Sequence, residues 1–133
     1  LEMSTRFESR IATLGDDAPL IERLRVIAHA FIPADDDSRA AMITYHSVGA
    51  AGLTDPTLRG PDAHHNATLL IDLVAGLVAA GQTTGELDES LTPVAEARLL
   101  VAALIGLSSS VLLEHTTPAQ ALDTIDEHLA RLQ

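Results

Sequence analysis

The chain has 133 residues, 47% of them hydrophobic and 2% aromatic, with no cysteine and a formal charge of −11. That length and apolar content suit one domain with its own core and exclude intrinsic disorder. The absence of cysteine excludes a disulfide framework and thiolate chemistry, and fits a reducing cytoplasm. The acidic residues are spread along the chain, which argues against nucleic-acid binding by this chain alone, because phosphate affinity needs clustered basic side chains.

Apolar residues recur at helical spacing throughout, and neither alternating strand patterns nor Asn-Gly hairpin signals occur. Leu1-Glu2-Met3 reads either as non-native residues added before a native start or as an internal cut from a longer protein, and no secretory signal is visible. The pattern predicts six helices. The first runs from about Ser4 to Leu14, stops at Gly15, and makes residues 1–15 a connector ahead of a main body at 16–133. The second follows Asp16-Asp17, has Pro19 in its first turn, repeats Leu20, Leu24, Ile27 and Phe31 on one face, and ends at Pro33. The third follows Asp35-Asp36-Asp37-Ser38, acids that suit the positive end of a helix dipole. It carries Met42, Tyr45, Val48 and Gly49 on one side and reaches about Leu53.

The segment from Asp55 to Pro61 is the main break, with two prolines and a glycine. The fourth helix then runs from about Asp62 to Ala80, with Ala67, Leu70, Ile71, Val74, Leu77 and Val78 inward and Gly81 as its stop. The fifth opens on Thr92-Pro93 and reaches about His115. From Leu99 to Leu107 it is apolar on every side for nine residues, too short a run to span a bilayer. Such a helix is covered by its own chain on one side and by a second copy on the other, or else is the central helix of a monomeric bundle. The sixth opens with a Thr117-x-x-Gln120 capping box and turns Ala121, Leu122, Ile125, Leu129 and Leu132 inward.

Taken in order, Asp55-Pro56-Thr57-Leu58-Arg59, the stretch from Ala79 to Leu87, the stretch from Ala97 to Leu107 and a capped last helix form a pattern. It resembles the C-terminal ligand-binding and dimerisation domain of the TetR family of bacterial transcriptional regulators, over about Phe7 to Gln133. The resemblance implies an all-α bundle of six helices that forms a homodimer, its last two helices packing on their twins as a four-helix bundle. It implies that DNA is bound only through a helix-turn-helix headpiece that is not in this sequence, so the chain is expected to be a piece of such a regulator or a headless relative.

For the dimer face the resemblance points to the last two helices, and the residues expected there are Ala97, Leu100, Ala103, Leu104, Leu107, Val111, Leu122, Ile125 and Leu129. Small residues on the fifth helix, among them Ala102, Gly106 and Ser108-Ser109-Ser110, would let two backbones approach. For an unidentified small-molecule effector the resemblance points to the second, third and fourth helices. The residues expected there are His29, Met42, Tyr45, His46, Asn66, Leu70 and Val74, a mostly apolar set with a few polar groups.

A metal site is not expected: Asp62 and His65 share a helical face, but no second such set completes a site. No cofactor and no membrane partner are implied. An enzyme is not expected, because Ser108-Ser109-Ser110 lies in mid-helix and no glycine-rich phosphate loop follows a strand. The alternative is a stand-alone helical dimerisation module without a small-molecule ligand. A void enclosed by Tyr45, His46 and Asn66 would separate the two.

Overall fold

A computed structural model describes residues 9–60 and 62–133. Among them the chain is all-helical, with no strand. The six helices are α1 (described over residues 9–12), α2 (Leu20–Ala30), α3 (Asp36–Thr54), α4 (Ala63–Thr84), α5 (Pro93–Leu112) and α6 (Pro118–Ala130), with a short 3-10 turn at Pro56–Leu58. The expected start of the first helix, Ser4 to Glu8, lies outside the described residues.

The termini follow from local chemistry. Pro19 precedes α2 in an extended conformation, and the first backbone donor of that helix, Leu20 N–H, is taken by Glu86 Oε1 at 3.0 Å. A carboxylate from the distant α4–α5 loop thus serves as the cap that the local sequence lacks. At α3, Asp35 and Ser38 form a reciprocal capping box: Ser38 N–H donates to Asp35 Oδ1 at 2.7 Å and Asp35 N–H donates to Ser38 Oγ at 3.1 Å. The Thr117–Gln120 box of α6 forms as its sequence predicts. Pro93 and Pro118 each sit in the first turn of their helix, where the missing N–H costs nothing.

The expected end of α4 is corrected. The helix passes through Gly81 and stops at Gly85, whose φ of 84° is the left-handed conformation that favours glycine. Gly81 is instead a contact point. A Cβ there would lie 2.6 Å from Leu87 Cγ and Cδ1, so the missing side chain makes room for the loop to fold back. Leu87 is buried, its N–H donates to Gly81 O at 3.0 Å, and Asp88 N–H donates to Leu132 O at 2.8 Å. The Gln82 side chain holds the same loop by donating to Leu91 O at 2.7 Å.

Two other ends differ from expectation: α2 stops at Ala30, so that Phe31, Ile32 and Pro33 form a buried turn, and α5 stops at Leu112.

The core lies where α4 packs on α5, with α2 laid across α4 and α6. It is filled by Leu24, Ile27 and Phe31 of the α2 segment, Val74 and Val78 of α4, Leu100 and Leu104 of α5, and Ile125 and Leu129 of α6. By length and composition two stretches, His64–Thr84 and Pro93–Leu112, could each cross a membrane. Here α4 and α5, which contain them, are the central pair of the bundle. The third helix is loosely held: Ser38, Met42 and Gly52 are its buried residues, while Val48 and Gly49, placed on one side with Met42 and Tyr45 by their spacing, are exposed. Ala67 of α4, expected inward, is exposed too.

Candidate functional site

The residues expected around an effector separate into three groups. Met42, Tyr45 and His46 lie at and beside the buried edge of α3, facing the centre of the bundle. Met42 is fully buried, and Tyr45 and His46 are half-buried. Tyr45 is wedged edge-to-face between Phe31, at 6.3 Å between ring centroids and 83°, and His46, at 5.5 Å and 82°. His46 Nε2 lies 2.9 Å from Ser108 Oγ, which ties α3 to α5. Either tautomer satisfies this bond, because the hydroxyl both donates and accepts. Val74 and Leu70 of α4 are buried and half-buried respectively.

Burial has opposite effects on the two titratable groups. It lowers the His46 pKa and raises that of Tyr45, because each charged form is poorly solvated there. Both side chains are therefore neutral near pH 7, a pair of hydrogen-bonding groups in apolar surroundings.

Ser108 and Phe31 are the members of this cluster missing from the expected effector set. The serine was legible: it continues the inward series Ala97, Leu100, Leu104 and Val111 of α5, and a hydroxyl in such a register needs a partner. It was expected instead to help two helices approach. Bonded to a histidine, Ser108 has the elements of an activated hydroxyl. It is nevertheless 0% exposed in mid-helix, which leaves a substrate no approach in this arrangement.

His29 and Asn66 do not join this cluster. Asn66 is exposed in the first turns of α4. His29 turns to α6, its Nε2 2.7 Å from Asp126 Oδ1, the oxygen that also accepts from Arg25 Nε at 3.2 Å. Arg25 in turn pairs with Glu22. His29, Arg25 and Glu22 border a separate crevice of about 300 Å³, lined also by Arg10, Thr13 and Val26. Asp62, His64 and His65 are exposed, and among the described residues no group of three or more His, Cys, Asp or Glu could hold a metal ion.

Most of the residues expected at the dimer face lie inside one protomer. Ala97, Leu100, Leu104, Val111, Ile125 and Leu129 are buried within a single protomer, so they form its core and are closed to a partner. Of the nine, Ala103 is exposed, and Leu107 and Leu122 are half-buried. The physical reason is the width of the apolar band: α5 has apolar side chains all round, and α4 and α6 cover the side carrying the larger ones. The outward side reads Leu99, Ala102, Ala103 and Gly106, with Leu99 68% exposed. The i, i+3, i+4, i+7 spacing makes these a continuous stripe of one large and three small residues.

A family profile described as BetI-type transcriptional repressor, C-terminal, matches residues 20–133. The fold is similar to that of a crystal structure from Rhodococcus sp. assigned to the TetR family of transcriptional regulators, with a TM-score of 0.87 at 19% identity. The likeness covers 98% of this chain and 69% of that one. No curated protein matches the sequence.

Proposed function

The chain belongs to the BetI-type C-terminal family of transcriptional repressors, and from that premise we propose that it is the effector-sensing and dimerising half of a bacterial, cytoplasmic repressor of the TetR family. DNA is bound through a separate helix-turn-helix headpiece, and this half supplies dimerisation and the switch. The observation that carries the reading is the His46–Ser108 hydrogen bond at 2.9 Å, which links α3 to α5, the helix whose outer stripe this reading assigns to the dimer face. A small, largely apolar effector held by Met42, Tyr45, Leu70 and Val74 competes for His46. Taking that group shifts α3 against α5 and so changes which arrangement of the dimer is favoured. DNA affinity falls when two headpieces no longer match successive half-sites. The chain is not read as an enzyme.

One observation favours the second reading, a dimerisation module without a ligand. Met42 and Val74 are fully buried and Tyr45 is closed between two rings, so the centre is packed. A thermal-shift screen of uncharged and weakly polar compounds separates the two. An effector at about a hundred times its Kd stabilises by about 2.7 kcal/mol, a rise in Tm on the order of 10 °C for a domain of this size. That rise shrinks in His46→Ala and Tyr45→Ala under the sensor reading. Hits that raise Tm equally in both variants, or a screen with none, favour the module.

A further inference from the structure

The crevice between α1 and α2 has no role in the reading above, and its lining sets Arg10 and Arg25 against one carboxylate, Glu22, with Asp126 bonded to Arg25 from α6. Arg23 donates to the carbonyls of Gly15 and Asp16 at 3.1 Å each, which fixes the α1–α2 linker. Arg25 is committed through Nη1 to Glu22 and through Nε to Asp126, leaving Nη2 without a hydrogen-bond partner among the described residues. Arg10, half-buried on α1, has no ion pair or side-chain hydrogen bond among the described residues, and it lines the crevice. Val26 supplies an apolar wall. Guanidinium groups recognise carboxylates through paired N–H donors, and two arginines line this one crevice. A volume of about 300 Å³ stands at the small end of ligand sites.

We propose that this crevice binds a small monocarboxylate, its oxygens held by Arg10 and by Nη2 of Arg25 and its short aliphatic part against Val26. The bound anion bridges α1 to α2. Through Asp126, which accepts from both Arg25 and His29, it also bears on α6. The site lies apart from the Tyr45–His46 cluster and stands or falls independently of it.

The test is a titration of the isotope-labelled 133-residue chain with sodium butyrate, followed by amide NMR shifts, against sodium chloride at equal ionic strength. The expected result is a saturable shift confined to the amides of residues 10–13 and 22–29. Arg10→Gln weakens it by about tenfold or more with an unchanged far-UV spectrum and Tm, since the Arg10 side chain has no hydrogen-bond or ion-pair partner among the described residues. Arg25→Gln weakens it too, but also disturbs the contact with Asp126, so Arg10→Gln is the deciding variant. Shifts that do not saturate, that chloride reproduces, that centre on residues 42–46, or that keep their affinity in Arg10→Gln overturn the proposal.

Discussion

His46 and Ser108 show how one pair sets both stability and response. Ser108→Ala removes the hydroxyl and leaves half-buried His46 Nε2 without its partner, at a cost of about 0.5–1.5 kcal/mol. Urea unfolding checks this, and His46→Gln, whose amide can still reach the serine, is expected to lose less. The pH dependence has a definite sign. Burial holds the His46 pKa in the fold below its usual value near 6.5, so the unfolded chain binds the proton more readily. Stability from this residue is fully present above about pH 6.5, falls as pH drops below that, and stops falling once pH is below the folded-state value. Chemical denaturation from pH 8 to 5 measures the loss, and His46→Gln flattens this residue's part of the curve. Residue types at these positions were readable in the sequence; their pairing across 62 positions was not, because no local signal joins α3 to α5. His29 lies outside the Tyr45–His46 cluster for the same reason: its partner, Asp126, is 97 positions away.

At the scale of the helix, glycines with the same local propensity have opposite roles. Gly76 of α4 is exposed with nothing within 4 Å of an added Cβ, so Gly76→Ala is expected to stabilise by roughly 0.5–1 kcal/mol. Gly81→Ala, five positions on, drives a methyl to 2.6 Å from the buried Leu87 and is expected to destabilise despite the better helix former. Paired urea curves check the opposite signs. This contrast explains why α4 overran its expected end. Glycine just after an apolar run reads as a stop, whereas here it answers a tertiary contact and Gly85 is the stop. Where termination or initiation is local, the reading held: Thr117 and Gln120 cap α6, and Thr117→Ala is expected to cost about 1 kcal/mol.

For the whole molecule, the chain order of six helices and the TetR-type fold were legible because each helix has its own periodicity and breaks. The register of α5 was not. A helix apolar on all sides gives no indication of which side its own protomer covers, so only the packing of α4 and α6 separates Leu104, at 0% exposure, from Leu99, at 68%. This distinction sorts two kinds of variant. Leu104→Ala opens a cavity in one protomer and is expected to cost about 2–5 kcal/mol of folding stability. Leu99→Glu leaves the protomer folded and places a charge on the outer stripe. The measurement that bears most directly on the account is the solution mass by light scattering over a dilution series, for the unaltered chain and for Leu99→Glu. The account predicts twice 14.0 kDa for the first, persisting on dilution, and 14.0 kDa with an unchanged helical spectrum for the second. A monomeric unaltered chain, or a Leu99→Glu variant that remains a dimer, would contradict it.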